Sequence, residues 1–161
     1  MAEGRLSEYR LRRRVNFYET DCAGIVHFSW YFRYLEEAEH AMWRAAGLSI
    51  ASAGDVGFPR VNAAFDYQAP LRFEDEFEVA VRVAAIGRSS MRYACTITRG
   101  ADRVATGTTT IVCVSAAGGG MKAVPFPPDV IDRFEVASDS SADVPGQDLA
   151  GRQVGLSPDE S

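Results

Sequence analysis

One stretch of the chain places residue types where they could do chemistry on each other. It runs Phe17-Tyr18-Glu19-Thr20-Asp21-Cys22-Ala23-Gly24-Ile25-Val26-His27-Phe28-Ser29-Trp30-Tyr31-Phe32. A carboxylate, Asp21, ends a strand-like run; Gly24 supplies a turn; an amphipathic pattern starts near Ser29. The first turn of a helix presents N–H groups without partners and a partial positive charge. Such donors suit the oxyanion that develops when a carbonyl is attacked. A carboxylate folded back beside them could attack that carbonyl itself or serve as base for a water. Asp shortly before Gly also makes an Asx turn with no chemistry at all, and the spacing alone leaves both readings open.

The elements that must position these residues follow from periodicity. Residues 9–20 read as a strand, with Tyr9, Leu11 and Arg13 on one face and Arg10, Arg12 and Arg14 on the other. Phe32, Leu35, Ala38, Met42 and Ala46 form an apolar stripe at helical spacing, which predicts a helix over residues 29–46. Ser29 is the candidate N-cap and Gly47 the stop. Arg33, Glu36, Glu37 and His40 lie off the stripe and read as a solvated face, with Arg33 and Glu37 at ion-pair spacing. Leu48 to Gly57 could add one helical turn. Beyond Pro59 the pattern changes to strands over Arg60–Tyr67, Glu76–Ile86, Met91–Arg99 and Arg103–Ser115, with a short one over Met121–Val124. Gly100-Ala101-Asp102 is a hairpin connection. One helix followed by a run of strands argues α+β, most simply a curved antiparallel sheet wrapped around one long central helix. That packing leaves one sheet face and an edge strand uncovered, which predicts an oligomer.

Composition narrows the classes. The 161 residues, 47% hydrophobic and 24% charged, suit one globular domain. A net charge of −5 argues against a nucleic-acid binder. Much of that charge sits in residues 136–161, where five acids face only Arg152; the body, residues 1–135, carries −1. The tail is poor in large apolar residues, and disorder is expected there. No apolar stretch is long enough for a membrane span, and no signal peptide is evident. Cys22, Cys95 and Cys113 make neither a disulfide set nor a zinc site, and His27 and His40 are the only histidines. No metal is expected, and a reduced, cytoplasmic setting is.

The run Tyr18 to Tyr31, continued by Phe32-Arg33-Tyr34-Leu35-Glu36-Glu37-Ala38, resembles the hotdog-fold acyl-CoA thioesterases, within them the 4-hydroxybenzoyl-CoA thioesterase-like group. Three later pieces fall in the same order: Gly57-Phe58-Pro59 to Glu76, Ile86-Gly87-Arg88-Ser89-Ser90-Met91, and Val104-Ala105-Thr106-Gly107. The resemblance covers about residues 9–130. It implies a hotdog fold and hydrolysis of acyl-CoA, or acyl-carrier-protein, thioesters to acid and thiol. It assigns Asp21 as nucleophile or general base, the Phe28 backbone N–H as oxyanion donor and Gly24 as the turn between them. By position Arg88, Ser89, Ser90 and Lys122 match nucleotide and phosphate contacts, although Gly87 to Ser90 also reads as a plain polar turn. His27 is a candidate contact to the carbonyl or acyl group, with a partly buried turn histidine as the alternative. Tyr31 and Phe58, with Trp30, are candidates for the acyl pocket. Glu37 keeps a secondary claim, because some relatives put the working carboxylate on the helix. No cofactor is implied, coenzyme A being part of the substrate, and sites shared between subunits imply a homodimer or homotetramer.

Two other readings fit less well. Hotdog dehydratases carry Asp-x-Asn-Pro-x-His or His-Phe-Pro-Gly, and neither occurs here. A non-catalytic acyl-CoA-binding module usually lacks the aspartate, which this chain has. The acyl group itself is left open by the sequence.

Overall fold

A computed structural model describes residues 4–51 and 53–138. Five strands form the main antiparallel sheet: β1 (Glu8–Arg14), β3 (Arg60–Tyr67), β4 (Glu76–Ile86), β5 (Ser90–Arg99) and β6 (Asp102–Val112), in the order β1-β4-β5-β6-β3. A small second sheet joins β2 (Val56–Gly57), β7 (Val114–Ser115) and β8 (Lys122–Ala123). The central helix α1 is Trp30–Ala45, and one short turn of helix, α2, is Pro128–Ile131. This is the expected α+β arrangement: a sheet curved around a single long helix.

Alternation explains the core. Phe77, Val79, Val81 and Val83 of β4 face inward with Met91, Tyr93, Cys95 and Ile97 of β5, all buried. They meet Tyr34, Leu35, Ala38, Met42 and Trp43 of α1, which are also buried. A cluster of this size supplies the main stabilisation, since each fully buried large side chain contributes roughly 1.5–3 kcal/mol. At the N-terminal edge, Leu6 bridges Phe134 and ties the segment after α2 to the start of β1.

Several expectations are corrected. The first strand stops at Arg14, and Phe17–Glu19 is a turn of 3-10 helix. The cause is Glu19: its side chain accepts the Asn16 N–H at 2.7 Å and an N–H of Arg13, folding the chain back on itself. The described residues of Leu48 to Gly57 form turns and bends leading into β2, and no helix. Cys113 interrupts the last long strand, dividing it into β6 and β7. Ser29 occupies the N-cap position in a helical conformation and makes no capping bond, because its hydroxyl is engaged by His27. Phe32 is only half-buried. Glu39, absent from the expected stripe, is fully buried. Arg33 stacks over the Trp30 ring instead of pairing with Glu37, and Glu37 pairs with Arg13 at 2.7 Å. Residues 139–161 of the acidic tail lie outside the described residues.

Candidate active site

Asp21 opens a tight loop closed by a single isolated bridge. Thr20 bridges Val26, the Asp21 N–H bonds to the Ile25 carbonyl at 2.9 Å, and the Gly24 N–H returns to the Asp21 carbonyl at 2.9 Å. Gly24 has φ +77°, a left-handed conformation that other residues adopt at a cost. Asp21 Oδ1 accepts the Ala23 N–H at 2.8 Å. The Asx turn therefore exists, and it uses only one carboxylate oxygen. The other oxygen has no partner among the described residues. Asp21 is half-buried at the mouth of this loop.

The path from the loop into α1 has an unusual hydrogen-bond pattern. Val26 N–H goes to the Leu71 carbonyl at 2.8 Å and His27 N–H to the Glu19 carbonyl at 2.9 Å. Ser29 N–H goes to His27 Nδ1 at 3.3 Å and Trp30 N–H to the His27 carbonyl at 3.0 Å. Phe28 N–H, in the middle of this run, has no acceptor among the described residues. An N–H can only donate, so the Ser29 bond makes Nδ1 of His27 an acceptor and leaves the ring proton on Nε2. His27 is half-buried and stacks on Phe28, with ring centroids 4.4 Å apart. Its ring sits in the turn that leads into α1, one residue before the open Phe28 amide.

The anchor beneath this loop was not foreseen. Glu19 is wholly buried two residues before Asp21 and is held by Arg13. The same guanidinium reaches Glu37 and lies over the Tyr34 ring at 4.7 Å. This set clamps the end of β1, the loop and the helix together. Strand alternation put Arg13 on the core side of β1, and that was the one usable signal. Glu37 contributes to the clamp, and burial pushes the neighbouring Tyr34 phenol well above its usual range. Exposed aromatic groups surround the loop: Phe17, Tyr18, Phe28, Tyr67 and Phe73 are each at least 46% exposed. Tyr31 is buried instead, edge-on to Tyr67 at 4.9 Å, and burial pushes its phenol up to about 12.

The remaining candidates lie elsewhere. Phe58 packs on Trp43 and Phe126, toward the C-terminal end of α1. Trp43 is thirteen residues along the helix from Trp30, roughly 20 Å. Arg88 and Ser89 lie in the β4–β5 turn and Ser90 opens β5, at the opposite end of the sheet from Asp21. The ten residues of β5 separate the ends by roughly 30 Å. At that far end the four phosphate candidates do come together. The carbonyls of Arg88 and Ser89 accept the N–H groups of Phe126 and Cys113, and Cys113 in turn accepts Val124, next to β8 and Lys122. Arg88 and Lys122 are exposed and have no carboxylate partner among the described residues. Among those residues no three His, Cys, Asp or Glu side chains gather as a metal-ligand set, and no helix is long and apolar enough to cross a membrane.

Comparison with known proteins agrees with this architecture. Residues 15–134 match the model of the Thioesterase-like superfamily. A 1,4-dihydroxy-2-naphthoyl-CoA hydrolase of Synechococcus elongatus is 28% identical over 138 residues, 83% of this chain and 100% of the relative. A solved structure of a hypothetical protein from Aquifex aeolicus is 32% identical, with a TM-score of 0.74 over 79% of this chain and 99% of that one. The solved structure of a gentisyl-coenzyme A thioesterase is 26% identical, with a TM-score of 0.70 over 78% and 99%. The unbroken match from the end of β1 through α2, with the sheet order described above, means that the chain belongs to the Thioesterase-like superfamily and has its hotdog fold.

Proposed function

We infer that this chain is an acyl-CoA thioesterase in which Asp21 and the Phe28 N–H act on the two sides of one thioester carbonyl. The observation that carries the assignment is the open amide. Four of the five N–H groups from Val26 to Trp30 are engaged, and Phe28 keeps the one that is free to receive an oxyanion. Asp21 keeps one unengaged carboxylate oxygen on the loop that leads to it. Water supplies the oxygen that ends in the acid, and the departing sulfur takes the proton. Asp21 serves either as the attacking group or as the base for that water, and Gly24 permits the loop that holds it. The reaction calls for no further cofactor.

A single protomer cannot complete the site, because the phosphate candidates are at the far end of the sheet. Among the described residues strand β3 pairs only with β6, and its other edge has no partner strand. Two copies joined antiparallel along that edge put the Tyr67 end of one beside the Arg60 end of the other. Tyr67 is bonded to Phe28, next to the Asp21 loop, and Pro59 is bonded to Val112, beside Ser90. A homodimer of this kind joins Asp21 of one copy to Arg88, Ser89, Ser90 and Lys122 of the other. Unpaired cations there fit the phosphates of coenzyme A. The aromatic groups around the loop, with the two aryl-CoA relatives, favour an aromatic acyl group. Three free thiols fit a reduced, cytoplasmic setting.

The test is thiol release from benzoyl, hydroxybenzoyl, acetyl, hexanoyl and palmitoyl-CoA, with wild type beside Asp21→Asn. Asparagine can still accept the Ala23 N–H, so the loop is kept and only the charge is lost. The expected result is aryl-CoA hydrolysis that falls by at least about 1,000-fold in the variant, with binding retained. Equal turnover in both proteins would overturn the role of Asp21. Binding without turnover in the wild type would favour a non-catalytic acyl-CoA-binding module.

A further inference from the structure

The Tyr67 hydroxyl donates to the carbonyl of Phe28 at 3.0 Å. This joins the last residue of edge strand β3 to the residue that carries the open amide. The position of Phe28 makes the bond consequential. Ser29 is the N-cap and α1 begins at Trp30, so the Phe28 carbonyl lies outside the helical ladder. With its N–H also free, Phe28 would have no backbone hydrogen bond without Tyr67. A residue tethered at neither group swings on its flanking dihedrals, and a donor that must be reoriented during reaction stabilises charge poorly.

We propose that Tyr67 is a positioning residue, whose hydroxyl fixes the Phe28 backbone so that its N–H meets the oxyanion. The proposal rests on the role given to Phe28 above. The Tyr67 ring is itself held from one side. It lies edge-on to buried Tyr31 at 4.9 Å, and Tyr31 is in turn set against the backbone of Leu71. Leu71 also accepts the Val26 N–H, so the strand end, the first turn of α1 and the catalytic loop share one scaffold. The outer side of Tyr67 is 46% exposed in the protomer, along the edge that a second copy would cover. Tyr67 thereby couples the subunit edge to the oxyanion donor through one hydroxyl.

The experiment is Tyr67→Phe in the full chain, with Tyr9→Phe as a control for losing a phenol hydroxyl at the other edge of the sheet. Two readouts are taken: kcat and KM on the best aryl-CoA, and hydrogen exchange at the Phe28 and Ser29 amides by NMR. The expected result is a fall in kcat of about tenfold with KM within about twofold, and faster exchange at Phe28. Tyr9→Phe should change neither. An unchanged kcat, or a loss confined to KM, would overturn the proposal. If the wild type hydrolyses no thioester, the functional reading fails on that result alone. The exchange data then still decide the tether, and equal Phe28 exchange in Tyr67→Phe and wild type would overturn it.

Discussion

Arg60 and Glu39 meet at 2.9 Å across the space between edge strand β3 and helix α1. Glu39 is completely buried, and its second oxygen has no hydrogen-bond partner among the described residues. Arg60 spends another N–H on the Thr109 hydroxyl at 2.9 Å. The pair fixes the edge strand against the helix at the end of β3 away from Tyr67. It does so at a cost, because removing a carboxylate from water is expensive even beside a cation.

That cost appears as a pH dependence. Burial raises the Glu39 carboxyl above its ordinary value of 4.5, against the opposing pull of Arg60 and His40. Between the ordinary and the raised value, the folded chain holds a proton that the unfolded chain has released. Stability from this group is therefore full below the ordinary value and declines as pH rises through the raised one. Glu39→Gln keeps an acceptor for Arg60 and does not titrate. Its melting temperature relative to wild type should climb as pH goes from about 4 to about 8. A difference that stays constant across that range would show that Glu39 does not titrate abnormally. Glu39→Ala, which strands Arg60, should lose about 3 kcal/mol instead.

Gly107 is where β6 passes beneath Phe65. A methyl group there would lie 2.6 Å from the Ala64 carbonyl oxygen and 2.6 Å from the Phe65 ring. The ring can turn aside, but the carbonyl belongs to the paired strand and cannot. Gly107→Ala should cost about 2 kcal/mol, by pushing β3 away from β6. For a chain of this size that is a fall in Tm of about 4–8 °C. Thermal unfolding checks it, and a Tm within about 1 °C of wild type would refute the clash.

Gly24 makes a different demand. A methyl group would touch nothing within 4 Å, so only its φ of +77° requires glycine. The cost of about 1–2 kcal/mol falls on an exposed loop and should hardly move global stability. It should instead shift Asp21. Catalytic turnover is expected to rank wild type above Gly24→Asn, and Gly24→Asn above Gly24→Ala, because asparagine tolerates this conformation better than alanine. Equal kcat in the alanine variant would mean that the loop does not place Asp21.

These residues show which parts of the molecule can be read in a sequence. Strands β4 and β5 were legible because apolar residues alternate along them and one side of each faces the core. Asp21 and Gly24 stood out because a carboxylate, a turn and a helix start follow one another within a few residues, whereas Phe28 was assigned by the family resemblance alone. Glu19 and Glu39 were not legible. A buried carboxylate is written like an exposed one, and only its partner distinguishes it: Arg13 lies six residues before Glu19 and Arg60 twenty-one after Glu39. Tyr67 was missed for the same reason, since its bond to Phe28 spans 39 residues. Phe58 shows what one protomer leaves apart. It was grouped with Asp21 by type and resemblance, while its actual neighbours are Trp43 and Phe126.

Arg88 and Lys122 allow the shared site to be tested without a structure of the pair. Both are exposed cations at the far end of the sheet, with no carboxylate to neutralise them among the described residues. If they receive the phosphates of coenzyme A from the partner's side, their worth depends on the nucleotide part of the substrate and not on the acyl part. Arg88→Ala and Lys122→Ala should each raise KM for an aryl-CoA by about tenfold and leave kcat nearly unchanged. The same acyl group on pantetheine, which lacks the nucleotide, should be hydrolysed by both variants as efficiently as by wild type. Raising the salt concentration should weaken wild type toward the variants on the CoA ester, because exposed charges are screened. A mixture of Asp21→Asn and Arg88→Ala chains adds the decisive comparison. Mixed dimers contain one site with both lesions and one with neither, so activity on the CoA ester should recover on mixing. Absence of recovery in a mixture shown to exchange subunits would place Asp21 and Arg88 of one site on the same chain, which the 30 Å length of β5 forbids for a single protomer, and would remove Arg88 from the substrate site.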